Sequence, residues 1–152
     1  MRILMSVFLI CGLSVELYPQ NNNNYEFEKR NSITIGILQG GGSLIGADFE
    51  ALLSRQFGIQ IGAGFVGFGA GLNYHLKPSI RSSFLSLQYW NQGIGASFAQ
   101  NVIGGAFVFR GKKLLTGQLG LGFPLSKGPA MRDDYVQPPV MLLYSIGIYF
   151  PI

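Results

Sequence analysis

Residues 57–76 read FGIQIGAGFVGFGAGLNYHL, and large apolar residues in this stretch alternate with glycine or polar residues. The apolar side chains occupy odd positions from 57 to 65 and even positions from 68 to 76, and the change falls at Val66-Gly67. A period of two is typical of β-strands, because successive side chains point to opposite faces. The stretch therefore predicts two strands joined by a turn, each with one apolar face.

The same alternation continues along the chain from Asn31 to the C-terminus. It predicts eight strands, most of them 9 to 12 residues long, over residues 33–37, 45–53, 57–65, 68–76, 82–90, 95–110, 115–123 and 140–150. Strands of about 9 to 11 residues have the length needed to cross a bilayer at a tilt.

The composition narrows the class of protein. Glycine supplies 22 of the 152 residues, charged residues supply 12% and hydrophobic residues 48%, and the mean hydropathy is +0.32. These values exclude a disordered chain, a coiled coil and a charge-coated cytosolic domain. No run of 18 or more apolar residues follows Asn31, which excludes a helical membrane protein.

The two faces of the predicted strands differ in chemistry. One face is almost wholly large and apolar, whereas the other carries Gly, Ser, Thr, Gln, Asn and a few charges. The outside of a soluble barrel would carry many more charged residues. The sequence therefore predicts an all-β fold, an eight-stranded antiparallel up-and-down transmembrane β-barrel with a polar or glycine-lined interior. The predicted lipid-facing belt includes Ile59, Ile61, Phe68, Leu72, Leu121 and Ile146.

Polar residues on the opposite parity predict a network inside the barrel. Arg55 or Arg81 is a candidate partner for its acidic groups, and the alternatives to a structural network are a narrow pore or a small-ligand pocket. The predicted members are Asp48, Glu50, Gln60, Asn73, His75, Gln88 and Gln118.

The chain divides into three predicted parts. Residues 1–19 have the layout of a secretory signal peptide, with Arg2 before an apolar run of 13 residues. Residues 20–30 form an Asn-rich linker, and residues 31–152 form the barrel. Cys11, the single cysteine, is either a lipid-attachment site or a small hydrophobe inside the signal peptide.

An even number of strands places both termini at the same end of the barrel, and this end can be distinguished by its turns. Turns on that end are either simply polar or in contact with phosphate or lipid headgroups. They carry six basic residues, Arg55, Lys77, Arg81, Arg110, Lys112 and Lys113. The opposite end receives the connections at Gln39 to Gly42, near Val66, at Trp90 to Gly95 and at Ser126 to Pro138. In the last of these, Asp133-Asp134 either binds a cation or a partner or is simply solvated.

Some aromatic residues are expected at the two membrane–water interfaces, where they form girdles. The candidates are Tyr74, Tyr89, Trp90, Tyr144 and Tyr149.

The signal peptide, the alternating segments and the last strand, PVMLLYSIGIYF, together resemble the small eight-stranded outer-membrane β-barrels of Gram-negative bacteria, OmpA/OmpX-like in architecture. The resemblance implies an outer-membrane location and a monomeric state. The partners that it implies are the lipid bilayer, lipopolysaccharide and the outer-membrane assembly machinery. It also implies a terminal assembly signal, from which this chain departs by adding Pro151-Ile152. The signal residues are Tyr144, Ile146, Ile148 and Phe150.

Few residues suggest specific chemistry. His75 is the only histidine, so neither a multi-His metal site nor an HExxH motif exists, and no metal or cofactor is predicted. Gly62-x-Gly64-x-x-Gly67 matches the dinucleotide fingerprint only in its letters, because strand residues follow it. Basic residues form no cluster within a nucleic-acid-binding module, so nucleic acid is not an expected partner.

Three functions remain open from the sequence. The first is a non-enzymatic outer-membrane barrel with an envelope structural or surface-interaction role through its outward loops. The second is a membrane-embedded lipid-modifying hydrolase, similar to lipid A deacylases, that uses His75 with Asp48 or Glu50, although the His-x-Ser pattern of those enzymes is missing. The third is a secreted soluble barrel that binds a small apolar ligand.

Overall fold

The computed structural model describes residues 29–152 except 95, 96 and 133. The predicted signal peptide, Cys11 and nearly all of the predicted linker lie outside the described residues, as does Asp133 of the acidic pair.

The described chain forms one closed antiparallel barrel in which each strand pairs with the next and the last pairs with the first. This confirms the predicted eight-stranded up-and-down architecture. A short turn, α1 (Gln39–Gly42), whose three glycines have left-handed backbone angles, lies between the first two strands. The strands are β1 (Asn31–Ile37), β2 (Ile45–Leu52), β3 (Phe57–Gly64), β4 (Gly67–His75), β5 (Phe84–Ile94), β6 (Ser97–Arg110), β7 (Leu115–Lys127) and β8 (Met141–Pro151).

The hairpin predicted from residues 57–76 is present. β3 and β4 pair in the register Ile59 with Leu72 and Gly64 with Gly67, so that Phe65 and Val66 form a two-residue turn. Gly67 has a φ of 135°, a conformation that side-chain-bearing residues rarely adopt. The change of parity in the sequence therefore corresponds to a tight turn.

The two halves of the barrel differ in strand length. β1 to β4 contain 7 to 9 residues, whereas β5 to β8 contain 11 to 14. The strands β5 and β7 continue beyond their predicted ends at Trp90 and Phe123. Both extensions pair with β6 across a register shift, at Gln92/Gly93 for β5 and at Asn101/Val102 for β7. The alternation does not mark the extension of β5, because Asn91 is a polar residue at an outward position.

The barrel is inverted relative to a soluble domain. Among the described residues, fifteen polar or charged residues are buried but only eight hydrophobic ones, while large apolar residues on every strand remain exposed. The six residues of the predicted belt all face outward, with exposed fractions from 40% for Ile59 to 62% for Leu72. Apolar exposure also continues past the ends of the short strands, as at Phe65.

The first connection differs from the prediction of an outward loop. Gln39, Gly40 and Gly41 are buried, and the turn α1 packs against the inner side of β2, β3 and β4. Gly40 and Gly41 have φ values of 64° and 82°, and a Cβ at either position would collide with a strand carbonyl, of Ala63 or Phe68 respectively. Only glycine allows the backbone to approach the barrel wall so closely.

Three further side chains lie in the interior, and one of them, Arg110, differs from the prediction. Arg110, assigned to a basic turn, ends β6 and is buried inside the barrel. Trp90 and Tyr149, both candidates for an interfacial girdle, are also buried. Each has inward parity on its strand, so its polar atoms must find partners inside the barrel. Tyr74 and Tyr144 are exposed, and Tyr89 is half-buried.

Candidate functional site

The polar interior has its strongest electrostatic cluster at the end of the barrel that holds the termini. Glu50, His75 and Arg110 come from the ends of β2, β4 and β6, and their side chains are at most 3% exposed. Glu50 Oε2 lies 2.7 Å from Arg110 Nη2, and Glu50 Oε1 lies 2.9 Å from His75 Nε2. The carboxylate therefore bridges a guanidinium and an imidazole.

Two neutral side chains complete the coordination of this carboxylate. Asn73 Nδ2 donates a hydrogen bond of 2.5 Å to Glu50 Oε1, and Ser32 Oγ donates one of 3.4 Å to Glu50 Oε2. Arg110 Nη2 in turn donates to Ser32 Oγ at 2.8 Å. A buried charge is tolerated only when it is paired and hydrogen-bonded, and Glu50 meets both conditions.

Aromatic rings enclose the same cluster. The Arg110 guanidinium lies 5.0 Å from the ring centre of Phe84 and 4.6 Å from that of Tyr149, distances at which cation–π attraction is expected. His75 stacks on Phe84 with ring centres 4.7 Å apart. The buried Ile80, from the β4–β5 connection, provides a carbonyl oxygen that accepts a hydrogen bond from Arg110. The lumen is thus closed at this end by rings and by the β4–β5 connection.

A chain of amide hydrogen bonds crosses the middle of the lumen. Gln88 and Gln118 exchange two reciprocal hydrogen bonds of 3.0 Å between their side-chain amides. Trp90 Nε1 donates to Gln88 Oε1 at 3.0 Å, and Ser86 Oγ donates to Asn73 Oδ1 at 2.5 Å. This chain connects the charged cluster to the opposite end of the barrel.

At that opposite end, the interior is closed by backbone and by apolar packing. The N–H group of Gly40 donates to both carboxylate oxygens of Asp48, at 3.3 Å each. Trp90, Val102 and Leu143 form the buried hydrophobic cluster beside it. The predicted outward loop is therefore a plug, which we call the glycine plug (residues 39–42).

The cavity that lies between the two ends is small. A cavity of about 10 Å³, lined by residues that include Asp48, Glu50 and Arg110, lies within the lumen. A cavity of this volume holds about one water molecule. Three buried polar atoms of the described residues have no hydrogen-bond partner: His75 Nδ1, Arg110 Nε and Ser145 Oγ.

The structure brings most of the predicted network together. Six of the seven predicted members are buried and Gln60 is half-buried, bonded to Asn73 at 3.1 Å. The cation that pairs with Glu50 is Arg110, whereas Arg55 and Arg81 lie in exposed turns. Arg110 was missed because it precedes a turn, although its parity, opposite to Phe107 and Phe109, would have identified it as inward-facing.

The geometry around His75 bears on the hydrolase hypothesis. Nucleophilic catalysis by serine needs a histidine nitrogen within hydrogen-bond reach of the hydroxyl. Here His75 Nε2 contacts Glu50, while the contacts of Ser32 Oγ are with Glu50 and Arg110. The arrangement holds a buried carboxylate between two basic groups, with His75 and Ser32 both fully buried.

No group of three or more metal-ligating side chains occurs within the described parts of the chain. Over the same residues, no helix has the length and apolar character that crossing a bilayer requires. No family model, curated protein or solved structure matches this chain.

Proposed function

We propose that this chain is a non-enzymatic β-barrel of the outer membrane of a Gram-negative bacterium, with its apolar exterior in contact with lipid. The observation that carries the proposal is the inverted distribution of side chains, polar within and apolar outside on all eight strands. Exposing so much apolar surface to water would be unfavourable at about 25 cal/mol for each Å². Lipid removes this cost, and a closed barrel leaves no backbone edge unpaired in the hydrocarbon.

The filled lumen supports a structural role rather than conduction. The glycine plug, the amide chain and the Glu50–Arg110 pair occupy the interior, and the cavity beside Asp48, Glu50 and Arg110 has room for about one water molecule. A soluble ligand-binding barrel requires an apolar cavity of a few hundred Å³, and the polar, filled interior argues against that alternative. The burial of His75 and Ser32 likewise argues against a hydrolase acting on bilayer lipids.

The surface-interaction part of the proposal rests on the connection between β7 and β8. This segment is the longest connection of the barrel, and Tyr135 and Val136 on it are exposed, with Val136 at 86%. Together with Val140, which is 41% exposed, they give this connection apolar surface that can contact another molecule. Lipopolysaccharide at the membrane surface is the expected neighbour of this segment.

The last strand supports the assembly part of the proposal. Tyr144, Ile146, Ile148 and Phe150 all face outward, with exposed fractions of 42% to 54%. Pro151 pairs with Ser32 of β1, and the Ile152 N–H donates to the Asn31 carbonyl at 2.9 Å. The two residues that follow Phe150 thus stay within the β1–β8 seam. The outward row of Tyr144, Ile146, Ile148 and Phe150 therefore remains available to the assembly machinery. We expect the assembled chain to be a monomer.

Detergent dependence tests the membrane proposal. When the full chain is expressed in a Gram-negative host, we expect to find it in the outer-membrane fraction. We also expect its mobility in a gel to change when the sample is boiled. Recovery of a folded monomer in buffer without detergent would contradict the proposal.

A second experiment tests the hydrolase alternative by comparing lipid A from cells that express the native chain with lipid A from cells that express His75→Ala. An enzyme would change the acyl chains of lipid A, and the variant would abolish that change.

A further inference from the structure

A basic pocket lies at the rim of the barrel, at the end that holds the termini. It has a volume of about 250 Å³, against about 10 Å³ for the cavity in the lumen. Its walls come from the segment before β1, the end of β2, and the β2–β3 and β4–β5 connections. The lining residues are Lys29, Arg30, Leu52, Ser54, Arg55 and Pro78.

The charge of this pocket has a single sign. Three of its six lining residues are cationic and none is acidic. Among the described residues, no salt bridge involves Lys29, Arg30 or Arg55. Three cations around one space repel one another unless an anion occupies it. The pocket therefore suits a ligand with negative charge, and guanidinium groups suit phosphate oxygens in particular because they donate in a planar fork.

The backbone around the pocket is anchored to the barrel. The Leu52 N–H donates to the Arg30 carbonyl at 2.8 Å, and the Lys29 ammonium donates to the Pro151 carbonyl at 3.0 Å. Ser54 Oγ accepts a hydrogen bond of 3.1 Å from the Phe57 N–H and so fixes the turn that carries Arg55. The cations are thus attached to the rim of a closed barrel, which lowers the entropy lost when a ligand binds.

The position of the pocket points to a lipid rather than to a free anion. Leu53 lies between the lining residues Leu52 and Ser54, and Leu76 lies two residues before Pro78; they are 65% and 52% exposed at the outer surface. A lipid has a charged headgroup and apolar chains, so cations bordered by apolar residues can bind both parts of it. Leu52 and Pro78 add apolar lining within the pocket itself.

From this geometry we infer that Lys29, Arg30 and Arg55 form a binding site for the phosphate headgroup of an anionic glycerophospholipid in the leaflet at the termini end of the barrel. The inference rests on the membrane placement proposed above. The two guanidinium groups contact the phosphate, and the acyl chains lie against the apolar exterior beside Leu53 and Leu76.

The test uses the full chain purified in detergent, titrated with dioleoyl phosphatidylglycerol and followed by native mass spectrometry. One phosphatidylglycerol is expected per barrel. Arg30→Gln with Arg55→Gln should weaken this binding by about tenfold or more, because charge-assisted hydrogen bonds are lost. Lys112→Gln with Lys113→Gln removes the same charge from another turn at the same end, and should leave binding unchanged.

Two further ligands separate the possible sources of the phosphate. Dioleoylglycerol has the same chains without phosphate and should not be retained, whereas inorganic phosphate should bind much more weakly than the lipid. Inorganic phosphate that binds as tightly as phosphatidylglycerol would overturn the lipid assignment. Equal weakening by the two double variants would overturn the site, since it would indicate diffuse attraction to the basic end.

A second variant covers the case in which the double substitution disturbs folding. Ser54→Asp can keep the turn hydrogen bonds, because aspartate also accepts them from the backbone, while it adds a negative charge to the pocket wall. It should weaken phosphatidylglycerol binding, and unchanged binding would contradict the inference. A detergent-dependent barrel that retains no phosphatidylglycerol would disprove the pocket alone, whereas a folded monomer without detergent would disprove the membrane placement.

Discussion

The two ends of the lumen are closed by different chemistry. At the termini end, Glu50 bridges Arg110 and His75 among aromatic rings, so closure depends on buried charge. At the opposite end, the glycine plug and the cluster around Trp90 close the lumen by close backbone approach and apolar packing. The comparison indicates that a narrow polar lumen can be filled either by pairing charges or by inserting backbone, and the two solutions should respond differently to mutation.

The largest effect is expected at the charged end. Glu50→Leu leaves Arg110 buried without its anion, which should lower the free energy of unfolding by about 3–5 kcal/mol. Urea titration followed by the fluorescence of Trp90, the single tryptophan, measures this loss.

The double variant Glu50→Leu/Arg110→Leu provides the matched comparison. It removes both charges and should recover a large part of the stability lost by the single variant, because apolar replacement of a buried pair is often close to neutral. If the double variant is less stable than the single one, the ion pair is not what closes this end.

A smaller effect is expected at the plugged end. Gly41→Val places a β-branched residue at a φ of 82° and its Cβ against the Phe68 carbonyl. Backbone strain contributes about 1–3 kcal/mol to the expected loss of stability. Displacement of the plug should also expose Trp90, which would shift its emission to longer wavelength. Gly105→Ala is the control, since a Cβ at Gly105 meets nothing within 4 Å. Equal destabilisation by both substitutions would show that the plug conformation does not matter.

The link between the two ends should contribute less again. Trp90→Phe keeps a ring in the cluster but loses the hydrogen bond to Gln88 Oε1, which still accepts from Gln118 Nε2. The expected loss is about 1 kcal/mol, the usual net contribution of one hydrogen bond. Thermal unfolding followed by circular dichroism can measure it, and a loss as large as that of Glu50→Leu would refute the ranking.

The smallest effect concerns an ion pair outside the lumen. Arg132 and Asp134 lie 2.8 Å apart on the long β7–β8 connection, where both side chains are largely exposed. Arg132→Ala should change stability by less than about 1 kcal/mol, because water screens exposed pairs. The same urea titration allows the exposed pair to be compared with the buried Glu50–Arg110 pair. A loss of stability comparable with that of Glu50→Leu would mean that burial does not determine how much an ion pair contributes here.

Much of this architecture can be predicted from parity in the sequence. Alternation places Ile59 and Leu72 outside and Asn73 and Gln88 inside, because side-chain direction in a strand depends only on position. Parity predicts the end of β5 too early, because Asn91 and Gln92 break the alternation of apolar and polar residues while they still pair with β6.

Other features depend on information that alternation does not contain. Gly40 and Gly41 have the composition of an ordinary surface turn, and only the close approach to Ala63 and Phe68 distinguishes a plug from a loop. Arg110 was assigned to its turn by its charge, although its parity indicated the interior. Partner choice within the lumen depends on which strand ends meet across the barrel, which no local pattern encodes.

The seam between β1 and β8 has a kinetic consequence. Seven of the eight strand pairings join neighbours in sequence, but closure pairs only six residues of β1 with β8, from Ser32 with Pro151 to Ile37 with Ile146. Closing so long a loop costs entropy before the new pairs repay it. We therefore expect the hairpins to form first and the seam to form last, so that the rate of folding depends most on the pairing of β1 with β8.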